Sequence, residues 1–169
     1  MNLSRGKFLM LLCALLTVGP IAPSVAAQSI VKVSLWDKGP HSLDAFGKGM
    51  MRGMGMGTGK MPMAMLGIDA QPKSVKAGRV TFEVTNTSKD MIHEMVVSPV
   101  PDSGRPLPYD KSSAKVDEDA AGHLGEVSEL SPGKTGSLSL ALKPGKYILY
   151  CNVPGHYALG MWTLITVTG

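Results

Sequence analysis

Apolar and polar residues alternate in several short stretches of the chain. Every second residue is apolar from Val80 to Val84, and the same holds from Leu138 to Leu142. A period of two is that of a β-strand, whose successive side chains point to opposite faces of the sheet. These stretches therefore predict strands that each bury one face.

Seven strands are predicted from residue 63 onward. Their ranges are 63–68, 79–85, 93–98, 125–130, 136–142, 146–151 and 161–168. Glycine, proline, asparagine and serine separate most of them, and short strands joined by such turns are typical of a sandwich or a barrel. Residues 99–122 show no clear period, so we expect a long connection there with one helical turn near residues 113–121. The predicted fold class is all-β.

The N-terminus has the three regions of a secretory signal peptide. Arg5 and Lys7 precede an apolar run at residues 8–16, and small residues follow up to Ala27. Cleavage is expected after Ala26 or Ala27, which would export the protein to the periplasm. The apolar run is shorter than the roughly 20 residues of a membrane-spanning helix, so no stable membrane span is expected after cleavage. The predicted organisation is a signal peptide at 1–27, an N-terminal strand with a methionine- and glycine-rich segment at 28–62, and one domain at 63–169.

Removal of the signal peptide leaves the charges nearly balanced. Two of the 17 basic residues lie in the signal peptide, which leaves 15 basic residues against 13 acidic ones. The basic residues are scattered, and no basic stripe with interleaved aromatic residues indicates nucleic-acid binding. We therefore expect no nucleic-acid partner.

One segment of the chain carries three metal-binding side chains at equal intervals. Four residues separate Cys151 from His156, and four more separate His156 from Met161. A Pro-Gly pair between the first two favours a turn, so the loop can bend back and present all three side chains to one ion. A second imidazole must come from elsewhere, and His93 lies at the start of a predicted strand. One thiolate, two imidazoles and a weak thioether are the donors of a blue-copper site, which suits both Cu(I) and Cu(II).

Cys151 is the only cysteine expected in the mature chain, because Cys13 lies in the signal peptide. In an oxidising compartment it has no partner for an intramolecular disulfide. An inert cysteine in a core is the alternative. The histidine and methionine that follow at equal spacing favour a metal ligand.

Residues from about 63 to 169 resemble a small cupredoxin of the plastocyanin, sulfocyanin and azurin group. The resemblance is carried by Ala-Gly at 77–78, Val-Thr-Phe-Glu-Val-Thr-Asn at 80–86, Leu-Lys-Pro-Gly-Lys-Tyr at 142–147, Cys-Asn-Val-Pro-Gly-His at 151–156 and Gly-Met at 160–161. It implies a Greek-key β-sandwich that performs one-electron transfer. It also implies one type 1 copper bound by His93, Cys151, His156 and Met161.

The resemblance further implies how electrons reach the copper. In the family's geometry the second histidine, here His156, reaches the surface through an apolar patch. The residues of that patch would be Val153, Pro154, Tyr157, Ala158 and Leu159. The implied partners are redox proteins such as a c-type cytochrome or a terminal oxidase or reductase, and the protein is expected to be a monomer.

Glu94 departs from the family pattern, since many members have asparagine at this position. If Glu94 interacted with Asn152 instead, the surroundings of the copper and its reduction potential would change. A glutamate ligand that competes with Met161 is a second alternative. Strand alternation, however, points Glu94 away from the face that carries His93.

Seven of the twelve methionines lie in residues 47–65, a stretch too rich in glycine for a regular helix. One hypothesis is an arm that binds additional Cu(I) through its thioethers, which would make the chain a periplasmic copper-binding or copper-resistance protein. The other is that Met63 and Met65 belong to a strand and the rest covers a sheet edge.

His41 and His123 stand beside turn residues without a second ligand at a chelating interval, and we interpret both as solvated loop histidines.

A catalytic copper enzyme, such as a nitrite reductase or a multicopper oxidase, needs further histidine clusters for a second copper centre. The chain has four histidines, and two of them are assigned to the predicted site. We therefore expect an electron carrier and not an enzyme.

Overall fold

The computed structural model describes residues 28–43, 65–101 and 105–169. The described strands are β1 (Ser29–Asp37), β2 (Leu66–Gln71), β3 (Ser74–Lys76), β4 (Gly78–Asn86), β5 (His93–Pro99), β6 (Tyr109–Asp110), β7 (Lys115–Val116), β8 (Gly125–Leu130), β9 (Thr135–Leu142), β10 (Gly145–Tyr150) and β11 (Trp162–Thr168), with a short 3₁₀ helix at Pro40–Leu43. In these three ranges no helix is long and apolar enough to cross a membrane. The predicted signal peptide and all of the methionine-rich stretch except Met65 lie outside the described residues.

The prediction of an all-β fold is confirmed, and six of the seven predicted strands are observed within one residue at each end. The strand predicted at 63–68 is observed as β2, which begins at Leu66 and continues to Gln71. Three short strands, β3, β6 and β7, were not predicted. The helical turn predicted near 113–121 is partly wrong, because Lys115 and Val116 form β7. A hydrogen bond of helical type follows, from the Ala121 N–H to the Asp117 carbonyl at 2.9 Å.

Two mixed sheets form the sandwich. Their strand orders are β2-β1-β4-β9 and β3-β11-β10-β5-β8. Strand β1 runs parallel to β4, and β3 runs parallel to β11, while the other pairs in these sheets are antiparallel. Strand β1 comes from the segment 28–62 and lies inside its sheet between β2 and β4. Its last residue, Asp37, contacts His93 at the start of β5, so both sheets contribute to the same end of the sandwich.

The core between the two sheets is built from the alternating apolar residues. Ten of its side chains, each at most 3% exposed, are Val31, Val33, Leu35, Val80, Phe82, Val84, Met95, Val97, Leu149 and Ile165. Burial of one such side chain contributes about 1.5–3 kcal/mol. Cys151 and Met161 belong to the same cluster, so the predicted metal ligands lie at the end of a dry core.

A second apolar cluster covers the outer face of the five-stranded sheet. Its fully or nearly buried members are Val96, Ile148 and Tyr150 from the sheet, with Leu107, Val116, Ala121 and Tyr157 from the connections. Strand β5 is consequently buried on both faces from His93 to Ser98. A strand with buried faces has a strongly specified register, so the backbone that carries His93 is held firmly in place.

Gly67 of β2 lies opposite Trp36 of β1. A Cβ atom at position 67 would lie 2.6 Å from Cζ2 of the Trp36 ring, which occupies the space that a side chain would need. We predict that Gly67→Ala lowers the free energy of unfolding by about 1–3 kcal/mol through overpacking, although alanine is ordinarily the better strand residue. Urea unfolding followed by circular dichroism measures the change.

Gly145→Ala provides the matched control at the start of β10. There the nearest atom to an added Cβ is Tyr147 Cε2 at 3.8 Å, an ordinary contact. This variant is expected to stay within about 0.5 kcal/mol of the unsubstituted protein. A Gly67→Ala protein more stable than the parent would contradict the packing of the indole ring on Gly67.

Candidate metal centre

Three buried side chains converge at one end of the sandwich. His93 begins β5, Cys151 follows β10, and His156 lies in the loop between β10 and β11. The Cys151 sulfur lies 3.3 Å from His156 Nδ1 and 3.9 Å from His93 Nδ1, and the two Nδ1 atoms are 3.2 Å apart. All three side chains are fully buried. The structure thus brings together three of the four predicted ligands through their metal-binding atoms.

The loop from Cys151 to Met161 is closed by its own backbone hydrogen bonds. The Cys151 N–H donates to the Met161 carbonyl at 3.0 Å, and the Met161 N–H donates to the His156 carbonyl at 3.0 Å. The turn predicted from the Pro-Gly pair is observed, since Gly155 has a φ of 85° and the His156 N–H donates to the Val153 carbonyl. Met161, the fourth predicted ligand, is fully buried at the base of the loop that carries Cys151 and His156.

The distances between the three donor atoms fit a transition-metal ion. Nitrogen and sulfur atoms bound at about 2.0–2.3 Å to one ion, at tetrahedral or trigonal angles, lie about 3.3–3.8 Å apart. The observed separations of 3.2, 3.3 and 3.9 Å are close to that range. A thiolate combined with imidazoles is a donor set that copper accepts in both of its oxidation states. The cluster therefore fits one type 1 copper.

Burial sets the protonation of these groups. It lowers the pKa of His156 to about 4, with a further contribution from the neighbouring His93, and it also lowers the pKa of His93, against the effect of Asp37. Both rings are therefore neutral near pH 7, which is the form that binds metals. Burial also raises the pKa of the Cys151 thiol to about 12. A bound cation is needed to make that thiol a thiolate.

A backbone donor points at the Cys151 sulfur. The Glu94 N–H lies 3.5 Å from the sulfur atom, and the register of β5 against β8 shifts between His93 and Met95. This irregularity lets the His93 ring and the next N–H group both face the cysteine. Hydrogen bonds to a ligand sulfur are one of the means by which proteins tune a metal site.

The Glu94 carboxyl is not one of the clustered donors. Its side chain is buried, and that burial raises its pKa to about 7, with Lys115 lowering it and Glu126 and Glu118 raising it further. Lys115 belongs to the hairpin β6–β7, Glu118 to the long connection after it, and Glu126 to β8, and none of the three is part of the main core. The expectation that Glu94 points away from the His93 face therefore agrees with its surroundings.

Asn152 forms its side-chain hydrogen bonds with the long connection, and none with Glu94. Its Oδ1 accepts a hydrogen bond from the Val116 N–H at 2.6 Å. Its Nδ2 donates to the Val116 carbonyl at 3.0 Å and to Glu118 Oε1 at 2.7 Å. The residue after the cysteine thus attaches the loop from Cys151 to Met161, the ligand loop, to β7 of the long connection. Of the two alternatives considered for Glu94, an interaction with Asn152 is therefore not observed.

The expectation that His156 reaches the surface is also wrong. The ring is fully buried, and its Nε2 atom has no hydrogen-bond partner among the described residues. Of the predicted patch, Tyr157 and Ala158 are buried, whereas Pro154 is exposed. The other two members, Val153 and Leu159, are half-buried.

Tyr157 is buried because the long connection packs against it. Its hydroxyl oxygen accepts a hydrogen bond from the Leu107 N–H at 3.2 Å. Its ring meets the edge of Tyr150 with 5.7 Å between centroids and lies 6.0 Å from the ring of Tyr109. If the long connection did not pack here, Tyr157 would be exposed to solvent. The alternation of apolar and polar residues does not show where a connection packs, so it could not predict this burial.

Asp37 is the site residue that sequence reasoning missed. Its Oδ2 lies 2.9 Å from His93 Nε2, and its side chain is 1% exposed. Burial alone would raise the pKa of Asp37, but hydrogen bonds with Ser88, His93 and Gly39 outweigh it and hold the pKa below its usual range. The signal available in the sequence was an aspartate at the end of an alternating stretch.

His41 and His123 are exposed and do not belong to the cluster.

Asn152→Ala tests the attachment of the ligand loop. The change removes three hydrogen bonds and leaves the Val116 N–H without this acceptor. We predict a loss of about 1–3 kcal/mol in the free energy of unfolding, the usual cost of an unsatisfied buried group. Thermal and urea unfolding of the metal-free protein measure it.

Glu118→Ala is the graded comparison, because it removes one of the three hydrogen bonds and leaves both bonds to Val116. It should cost less than Asn152→Ala. Equal stability of Asn152→Ala and the unsubstituted protein would show that the loop does not depend on this attachment.

Comparison with known proteins adds three findings to this geometry. Residues 60–168 match the family described as copper binding proteins, plastocyanin/azurin family. Auracyanin B is similar in structure, with a TM-score of 0.52, 20% identity, and coverage of 85% of this chain and 90% of its own. Rusticyanin from Thiobacillus ferrooxidans has a TM-score of 0.51 and 16% identity, and the match covers 83% of this chain and 77% of its own. No curated protein sequence gives a significant match. At these identities the two structures show a shared fold.

Proposed function

Because this chain belongs to the plastocyanin/azurin family of copper-binding proteins, we propose that it carries single electrons between redox partners through one type 1 copper. The proposed ligands are His93, Cys151, His156 and Met161. The observation that carries the proposal is the convergence of one sulfur and two Nδ1 atoms from three segments in a fully buried site. Electron transfer is the general role of cupredoxins, which are not enzymes as a class.

Met161 is proposed as the fourth ligand, which would bind copper weakly through its thioether. It is fully buried and belongs to the same apolar cluster as Cys151. Its backbone is bonded to both Cys151 and His156, so its side chain originates beside them. A weakly bound thioether together with one thiolate and two imidazoles is the donor set of blue-copper sites.

Bound copper supplies the one-electron oxidation and reduction. The protein's residues hold their positions while the charge changes: the loop hydrogen bonds fix Cys151 and His156, and the doubly buried strand β5 fixes His93. The Glu94 N–H directed at the sulfur stabilises negative charge there and weakens the sulfur's donation to the metal. The surrounding apolar core excludes water, which disfavours the more highly charged oxidised site.

The proposed partners are redox proteins such as a c-type cytochrome or a terminal oxidase or reductase, met in the periplasm by a monomeric carrier. At the site's end of the sandwich, Ile92 directly before His93 is 46% exposed, and Pro154 in the ligand loop is exposed as well. Small apolar contacts of this kind suit the brief, small interfaces of electron-transfer complexes. With the His156 ring buried, the electron passes through packed atoms of the loop and not through an exposed ring edge.

Reconstitution with Cu(II) tests the site directly. We expect an intense visible band from charge transfer between the Cys151 thiolate and copper, with one copper per chain. Cys151→Ser and His156→Ala should both lose the band, while His123→Ala, which changes an exposed histidine outside the cluster, should keep it. Copper-treated protein that stays colourless, with a thiol still open to alkylation after unfolding, would refute the assignment.

Met161→Leu tests the axial ligand. The substitution keeps an apolar side chain of similar volume, so the fold and the visible band are expected to remain. Loss of the thioether donor destabilises the oxidised site more than the reduced one, so the reduction potential should rise, by about 59 mV for each tenfold change in relative affinity. A redox titration monitored at the visible band measures it. A potential unchanged from that of the parent would remove Met161 from the ligand set.

A further inference from the structure

The two imidazoles of the site differ at their outer nitrogens. His93 Nε2 lies 2.9 Å from Asp37 Oδ2, with both side chains at most 1% exposed. His156 Nε2 is buried without a hydrogen-bond partner among the described residues. A carboxylate in contact with only one of two ligand rings must affect that ring differently from the other.

Asp37 is fixed by its own surroundings. It ends β1, a strand held between β2 and β4. Its Oδ1 accepts a hydrogen bond from the Gly39 N–H at 2.7 Å, while its Oδ2 faces His93. Each carboxylate oxygen therefore has a separate donor, and the group cannot rotate without breaking one of these contacts.

A carboxylate can only accept from the ring that it faces. The proton of neutral His93 is thus placed on Nε2, and the lone pair on Nδ1 is directed into the site. The negative charge also makes the ring a stronger donor, and a stronger donor favours Cu(II), the more highly charged ion, over Cu(I). Because both side chains are almost fully buried, solvent screens this effect only weakly.

We propose that Asp37 is a positioning residue that selects Nδ1 of His93 as the copper-binding nitrogen and lowers the reduction potential of the site. The inference rests on the proposed function, because it assumes that copper binds beside His93. The anion then comes from β1 of the four-stranded sheet, whereas the proposed ligands lie on strands of the five-stranded sheet and in the loop that joins two of them.

Asp37→Asn removes the charge with minimal change in shape. Asparagine has one carbonyl oxygen, which cannot serve both the Gly39 N–H and His93 Nε2–H. Its amide N–H group is a donor, and a donor that faces Nε2 of His93 disfavours the tautomer that carries its proton on Nε2. We expect copper affinity to fall by about 10-fold to 100-fold, as for other groups that orient metal ligands. Cu(II) should lose at least tenfold more affinity than Cu(I), which raises the potential by about 59 mV or more.

Asp69→Asn is the matched control. Asp69 lies on β2 of the same sheet and is exposed, so the variant removes the same charge far from any contact with the cluster. Its potential and copper affinity should equal those of the parent. Equal potentials for Asp37→Asn and Asp69→Asn would overturn the proposal.

Nitrogen NMR of the unsubstituted protein loaded with diamagnetic Cu(I) gives a second test that needs no variant. We expect His93 to carry its proton on Nε2, with the low-field shift of a hydrogen bond to a carboxylate. A proton on Nδ1 would overturn the proposal, even where Asp37→Asn fails to fold. A parent protein that does not turn blue with Cu(II) would refute the function and this inference together, whereas a blue parent with an unshifted Asp37→Asn refutes the inference alone.

Discussion

The buried thiol of Cys151 constrains the structure around it. A sulfur so far from water does not ionise near neutral pH, and burial raises its pKa to about 12. Two neutral imidazoles do not provide the missing positive charge, but they can hold an ion that does. Ionisation of the thiol therefore requires an ion bound together with the two rings, and the end of the sandwich holds the three side chains within reach of a single point.

The fold meets this requirement with two layers of support. On the inner side, Cys151 and Met161 end the main core, and their backbones are joined by a hydrogen bond. On the outer side, the long connection covers β5 and attaches to the ligand loop through Asn152 and Tyr157. Side chains held from both sides are expected to move little when a bound ion changes its oxidation state. Such rigidity suits an ion that alternates between two charges.

Much of this architecture could be predicted, because the information is local. Strand positions follow from a period of two, and the spacing of Cys151, His156 and Met161 follows from one loop. The contact between Asp37 and His93 is not local: it depends on β1 lying inside the opposite sheet, and sheet order cannot be seen in alternation. The attachment of Asn152 to Val116 could not be predicted for a related reason, since Val116 lies in a two-residue strand too short to show any period.

The burial of His156 was missed because the family's pattern suggested an exposed ring, whereas here the following Tyr157 packs inward. The burial of His156 gives the two imidazole rings different surroundings at their outer nitrogens. The outer nitrogen of His93 meets a fixed anion, so this ring is the one through which the protein can set the charge balance of the site. The outer nitrogen of His156 has no hydrogen-bond partner among the described residues. The two rings therefore differ in what the described part of the protein presents to their outer nitrogens, since a carboxylate lies within hydrogen-bond distance of the His93 ring.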